Sequence, residues 1–509
     1  MKKSKLVAVA AVLCLTLALS ACAGLGKKKP TADGDSLTYW MTLNATQKVE
    51  IQDFAETPLG KKLSENTGIK VSYIHPESNE SFNLALAAGE LPDIVEYYWL
   101  GSYPGGPEKA IEEKQIITFD HLMEEYAPNL TKYLKEHPEV DKLITTSDGK
   151  HYMFPFVRGD EYLLISNGPV VRKDWLDELG LDIPETMDDW YNMLTAFKSK
   201  ATGAPFGSYL PLENGVFSAA YGAPKGFFID DNDKIQYGPM LDGYKECLKE
   251  MNKWYKEGLI DPNFMGMDSK MIDAAITNGT SGATVGSVGG GIGKWLGAVT
   301  EEGYDLAAVP YPVLNRGEKA MYTLRQNPVT GLGAAISTNC KNPELAMQFL
   351  DYMYSEEGHM LLNFGIEGES YEMIDGYPTY TDLITKNPDG KSMAAILGQY
   401  ARSMTTGAFI QDRRYMEQYG ALPQQKNAIE VWSDSDAAEH VLPPLAPPAE
   451  ESKELANIYN ELSTFVNEYT IKFVTGSASF DDWDMYIEQI KKFNVDRALE
   501  IYQKAYDKI

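Results

Sequence analysis

Histidine and cysteine are scarce in this chain, with six and four among 509 residues. His75, His121, His137, His151, His359 and His440 never fall in the HExxH spacing that sets two ring nitrogens on one helix face, and no CxxC pair occurs. The common zinc patterns are therefore excluded. A GxSxG nucleophile elbow and a GxxxxGK[ST] phosphate loop are also missing. Positive charge is short as well: 46 Lys and Arg face 73 Asp and Glu, a formal net charge of −27. Nucleic acid is excluded as a partner, because phosphate binding needs a cationic surface. The same charge argues, less strongly, against a polyanionic substrate. No internal repeat of solenoid length is present, and no apolar run, the N-terminal one from Leu6 to Leu19 included, reaches the roughly 20 residues of a membrane span.

What is present is a globular composition, 44% hydrophobic and 23% charged, in a chain too long for one ordinary domain. The N-terminus carries a targeting signal. Lys2, Lys3 and Lys5 precede an apolar run from Leu6 to Leu19, and Leu19-Ser20-Ala21-Cys22 resembles a lipobox, in which small residues precede a cysteine that takes a diacylglycerol. An ordinary secretory signal cut near Ala21 or Ala23 is the alternative, and the cysteine at this place favours lipidation. Residues 1–21 are then a signal peptide and 22–35 a lipidated flexible tether, whose Lys27, Lys28 and Lys29 suit an anionic headgroup layer. Of the other cysteines, Cys14 lies in the signal, leaving Cys247 and Cys340 either as buried thiols, the reading favoured, or as a pair.

From Leu37 short apolar strands alternate with amphipathic helices. Leu37–Met41, Ile69–Ile74 and Pro92–Tyr97 read as strands, and residues 58–67 and 81–88 as helices closed by Gly68 and Gly89. This rhythm predicts an α/β lobe with a largely parallel sheet and a ligand at the carboxyl ends of its strands. Further on, helices are expected at 171–179, after the Thr186 cap, at 244–257, 343–353, 357–364, 452–474 and 482–508, with a stiff Pro-rich linker at 441–448. The Asp230-Asp231-Asn232-Asp233 run lies between two apolar stretches and reads as an acidic hairpin turn. The glycine-rich stretch 286–293 reads as a close-approach loop, with a flexible surface loop as the alternative.

Several stretches, taken in order, resemble the extracellular solute-binding proteins of bacterial carbohydrate ABC importers, family 1, in the large lipoprotein branch related to alginate-binding and LplA-like proteins. They are Leu91-Pro92-Asp93-Ile94-Val95-Glu96, Asp148-Gly149-Lys150-His151-Tyr152-Met153-Phe154-Pro155, Val171 through Leu181 with Pro184-Glu185-Thr186, and Asn342 through Tyr352 with Ser355-Glu356-Glu357-Gly358 and Asn363 through Gly368. The resemblance implies a periplasmic-binding-protein-like (type II) α/β fold with two lobes joined by hinge crossings. Lobe one is expected at 36–158 and 329–385, and lobe two at 159–328 and 386–509. Alginate-binding members carry a calcium loop where this chain has Ala201-Thr202-Gly203-Ala204-Pro205-Phe206, so no metal site is expected.

The implied function is a lipid-anchored, monomeric receptor that captures a sugar or oligosaccharide outside the membrane and delivers it to an ABC permease, without catalysis or cofactor. A polysaccharide hydrolase or lyase, which needs two placed carboxylates or a Tyr/His base, and a sensor of the same fold are the alternatives. Aromatic rings stack on sugar faces while polar groups bind hydroxyls. The candidates are Trp40, Asn44, Glu96, Tyr98 and Trp99 in lobe one, Phe156, Arg158 and Tyr162 at the hinge, Tyr221 and Trp295 in lobe two, Arg325 at a second crossing, and Glu367 and Tyr371 after the Gly365-Ile366-Glu367-Gly368 turn.

Overall fold

A computed structural model describes residues 36–208 and 215–508. The expected signal peptide, the tether and the lipidation point Cys22 lie outside the described residues.

Strand Ser36–Trp40 pairs in parallel with Lys70–Ile74 on one side and Ile94–Tyr98 on the other. The intervening helices start and stop as their sequences dictate. Thr57 accepts a hydrogen bond from the Gly60 N–H to cap Pro58–Thr67, and Gly68 (φ 70°) ends it in the left-handed conformation that costs glycine little. The third strand is tied to the first by Asp93, whose carboxylate accepts from the Thr38 N–H and hydroxyl at 2.8 and 2.7 Å.

The sheet departs from the expected parallel order at one place. Its order is Lys70–Ile74, Ser36–Trp40, Ile94–Tyr98, Leu332–Ile336, Phe154–Pro155, and Leu332–Ile336 runs antiparallel to both neighbours. This strand returns from a long excursion through the second lobe, so no helical crossover constrains its direction. Its small residues let it fit: a Cβ on Gly333 would lie 2.4 Å from the Phe154 carbonyl oxygen.

The second lobe is built on the antiparallel sheet Leu306–Ala308, Asn167–Arg172, Ala283–Ser287. Val171 and Arg172 complete its central strand, so the helix expected from residue 171 begins at Lys173. Both Val170 and Val171 are fully buried, and β-branched side chains suit that position. The Thr186 cap is present as a capping box with Asp189. The C-terminal region has the long helix Ala449–Thr475, but the expected helix 482–508 is two, Trp483–Lys492 and Val495–Tyr506. They meet at Asn494 (φ 60°), a residue type that tolerates the left-handed region. The break turns Ile490 and Val495 onto one core.

The Asp230 run is a hairpin turn between Phe227–Ile229 and Ile235–Tyr237, and the Asp230 carboxylate accepts from the N–H groups of Asn232 and Lys234 and from Gln236. Cys247 and Cys340 are both free, one inside the second lobe and the other against the first.

Apolar packing falls into two large cores. One spans residues 37–157 and 329–362 with 408–409, and the other 165–320 and 428–501. A smaller core around Phe364, Tyr371, Tyr380, Leu397 and Tyr415 lies on the segment between them in sequence. The chain therefore passes between the large cores near 157–165, near 320–329 and again before residue 428.

Candidate functional site

The carboxyl ends of Ser36–Trp40 and Ile94–Tyr98 open on a cavity of about 340 Å³ whose lining includes Trp40, Thr42, Phe82, Glu96, Tyr98 and Thr406. Here the sheet brings together three of the residues expected from sequence: Trp40, Glu96 and Tyr98. Trp40 is mostly covered, with Phe82 edge-on at 6.1 Å. Tyr98, the last residue of its strand, is 41% exposed.

Glu96 is buried and fully engaged. It accepts from the Tyr39 hydroxyl at 2.5 Å and bidentately from Arg402, Nη1 to Oε1 at 2.5 Å and Nη2 to Oε2 at 2.9 Å. Burial acts to lower the proton affinity of Arg402, and the Glu96 carboxylate outweighs it and holds the guanidinium charged. Burial and then Glu96 push the Tyr39 phenol well above its usual range. Gly407 makes room, since a Cβ there would lie 2.6 Å from the Arg402 guanidinium carbon. Arg402 was not among the sequence candidates, because nothing local marks a partner 306 residues from Glu96.

The remaining candidates fall into separate places. Trp99 is fully buried among Phe82, Tyr97 and Tyr103, with no free ring face. Asn44 is exposed and caps helix Ala45–Glu50 by accepting from the Gln47 N–H. Phe156 packs on Phe409 at 5.3 Å, and the Arg158 guanidinium lies over the Phe156 ring at 5.2 Å. Tyr162 is covered by Arg413 at 4.8 Å, and Arg325 pairs with Glu161. Tyr221 is half-buried on a short turn of the second lobe. Trp295 is buried and donates to Asp273 at 2.6 Å. The glycines before it form a π-helical turn, Val288–Gly293, rather than a surface loop. Close approach explains them: a Cβ on Gly286 would meet the Trp295 ring at 2.4 Å, and one on Gly289 the Tyr419 ring at 2.6 Å. Glu367 is exposed on its turn, whereas Tyr371 is buried against Phe364 at 5.8 Å.

A second aromatic faces solvent. Among the described residues the two exposed aromatic rings are Tyr98 and Tyr459, the latter 51% exposed. Tyr459 lies on helix Ala449–Thr475, whose Leu455, Ile458 and Leu462 point into the second lobe's core. Burial raises the Tyr98 phenol pKa first, and nearby Tyr459 raises it further; Tyr502 feels both rings after its own burial. Tyr98 lines the cavity, and Tyr459 of the second lobe's long helix lies near it. An aromatic ring one step outside the 455, 458, 462 apolar stripe was the signal available in the sequence.

Glu96 is neutralised by Arg402, and among the described residues no group of three or more His, Cys, Asp and Glu is placed to hold a metal ion. Among those residues, too, no helix is long and apolar enough to cross a membrane.

The family model described as bacterial extracellular solute-binding protein matches residues 46–360. The fructooligosaccharide ABC transporter substrate-binding protein FusA of Streptococcus pneumoniae is 25% identical over 99% of this chain and 98% of its own length. Lipoprotein LipO of Bacillus subtilis is 27% identical, over 70% of this chain and 72% of that one. The crystal structure of alginate-binding protein AlgQ2 without calcium ion has a TM-score of 0.73 at 24% identity, covering 93% of this chain and 98% of that one.

Proposed function

The chain belongs to the bacterial extracellular solute-binding proteins, and from that membership we propose that it captures an oligosaccharide between its lobes and hands it to an ABC importer. The family is one of binding proteins, not enzymes. The observation that carries the sugar reading is the exposed Tyr98 lining the cavity, with the other exposed tyrosine, Tyr459, nearby on the second lobe's long helix. Exposed rings are costly to leave in water, and the apolar C–H face of a sugar ring is a natural cover. Trp40 and Tyr98 from lobe one and Tyr459 from lobe two would stack on the ligand, while Thr42 and Thr406 offer hydroxyls to it. Arg158, Tyr162 and Arg325, near the crossings, would meet it as the lobes close. The name of FusA, a fructooligosaccharide-binding relative, supports the substrate class. Cys22 is the proposed lipid anchor, supported by the lipobox-like sequence and by the lipoprotein relative LipO. The receptor is read as a monomer held at the outer face of the cell membrane.

Two experiments test this. In a thermal-shift screen of the unlipidated mature chain against an oligosaccharide library, a bound sugar raises the melting temperature. For the sugar so found, Tyr98→Ala and Tyr459→Ala should each weaken calorimetric affinity at least tenfold, by comparison with the roughly 1–3 kcal/mol of one aromatic stacking platform. Unchanged affinity in both variants removes the stacking site. For the anchor, Cys22→Ala should release the protein into the medium, and retention in the membrane fraction would refute lipidation at that residue.

A further inference from the structure

The proline-rich stretch before helix Ala449–Thr475 touches both lobes. It starts at a chain crossing, where the Leu442 carbonyl accepts from Asn327 Nδ2 at 3.1 Å. It ends on lobe two, where Glu451 pairs with Arg497 at 3.3 Å and with Lys504 at 2.8 Å on helix Val495–Tyr506. Between these ties it runs along lobe one. Residues 444–448 form one wall of a cavity of about 190 Å³, and the other wall includes Leu143, Thr145, Ser147 and Gly149 of the first lobe. Leu445 and Ala449 are only 8% and 4% exposed, yet neither belongs to any of the three cores. Their cover is the seam between the lobes.

The seam closes on backbone. Gly105 and Gly106, with φ of 87° and 73°, lead into helix Gly106–Glu112, whose Ala110 lies in the first core. A Cβ on Gly105 would lie 3.7 Å from the Ala449 carbonyl oxygen, and one on Gly106 would lie 3.9 Å from the Ser452 Cβ. The Ser147 N–H donates to Glu108 at 2.7 Å and so braces the cavity loop on the same helix. The composition of the strap lets such a contact part. Four of residues 442–448 are prolines, which have no N–H to strand when a neighbour leaves, and proline-rich chain keeps its extended form by its own stiffness. Ser452 donates to the Pro447 carbonyl at 2.7 Å, so the strap moves with the helix that follows it. Two turns further on, that helix carries Tyr459, near Tyr98 of the ligand cavity. A lobe movement that opens the cavity there separates the seam as well.

We propose that residues 442–452 form a latch between the lobes: their seat on Gly105, Gly106 and the 143–149 segment parts when the cleft opens, and it sets how far the unliganded protein stays closed. The proposal rests on the reading that the two lobes close over a ligand, and not on which sugar is bound. Glycine at 105 and 106 is then needed twice, for the positive φ and for the close approach.

The test is small-angle X-ray scattering of the unlipidated mature chain without sugar. In a Gly106→Cys/Ser452→Cys variant the Cβ separation of 3.9 Å suits a disulfide, whose Cβ atoms lie about 3.8 Å apart. Oxidation should join the two residues, seen as a linked peptide in a non-reducing digest, and hold the lobes closed. Ser452→Trp should wedge the seam and give a larger radius of gyration than the oxidised double variant. Thiols that stay unlinked under oxidant overturn the proposal, as do equal radii for the two variants. If the left-handed backbone at residue 106 keeps the cysteine variant from folding, the native chain takes its place: the radius of Ser452→Trp must then exceed the native one, and an equal radius overturns the latch. Because no sugar is present, failure here and failure of the oligosaccharide-binding reading are distinguishable.

Discussion

Replacing Arg402 by methionine gives a sharp test of how its segment is tied to the first sheet. The change leaves the Glu96 carboxylate buried with the Tyr39 hydroxyl as its remaining partner, and removes a side chain that also donates to the Thr406 carbonyl. Both charged side chains are nearly inaccessible, at 5% for Arg402 and 7% for Glu96. Breaking a buried pair on one side costs about 3–5 kcal/mol, because the survivor is an uncompensated charge. With a urea dependence of roughly 3 kcal/mol per molar, the unfolding midpoint should fall by about 1.3 M. The assay is tryptophan fluorescence in urea, since Trp40 and Trp99 report on this lobe. Adding Glu96→Gln to Arg402→Met should restore part of the loss, as the double variant buries no lone charge and still offers the Tyr39 hydroxyl an acceptor. Lys61→Met is the control: its pair with Glu56 is 63% and 76% exposed and should contribute under about 1 kcal/mol. If Arg402→Met moves the midpoint no more than Lys61→Met, or if the double variant is the least stable, the reasoning is refuted.

Three further outcomes are predicted. Gly286→Ala drives a Cβ into the buried Trp295 ring and should destabilise by about 1–3 kcal/mol, whereas Gly297→Ala, a helical position with open space around it, should stabilise by about 0.5–1 kcal/mol; paired urea melts compare them. Burial alone would raise the Asp412 carboxyl, but hydrogen bonds from His359 and Arg414 hold it far below the usual carboxylate range. A depressed folded pKa gives stability that is complete above the unfolded value of about 4 and is lost as pH falls below it. Asp412→Asn should therefore lower stability at pH 7 and flatten the acid limb of the urea midpoint between pH 5 and 3; an unchanged acid limb would count against the network. Burial pushes the Cys247 thiol far up and the Cys340 thiol to about 12, so neither should react with a disulfide reagent at pH 8 in the native chain, while both should react after unfolding. Rapid labelling of the native protein would contradict their packing.

Much of the fold was legible because it is written in local chemistry. Gly68 and Gly89 end their helices in left-handed turns, Thr186 caps the next through Asp189, and the Asp230 turn folds its own oxygens onto its backbone. Each is settled within a few residues. The strands whose side chains follow a simple pattern were placed to within two residues. Where a segment served two purposes the pattern misled: Val171 and Arg172 fit a helical stripe and a strand equally, and the sheet claimed them.

The site was less legible, and the reason is distance along the chain. Aromatic identity marked Trp40, Tyr98, Trp99 and Trp295 alike, yet burial left Tyr98 open and enclosed Trp99 and Trp295 in packing. The sequence alone determined the strand and helix rhythm, the caps, the acidic surface and the family, all of which depend on period, φ preference and motif order. Only the tertiary structure decided that Leu332–Ile336 enters the first sheet antiparallel, that Arg402 neutralises Glu96, and that Tyr98 lies near Tyr459. Those pairings join residues hundreds of positions apart, and their energies come from desolvation and contact, which exist only once the lobes have formed.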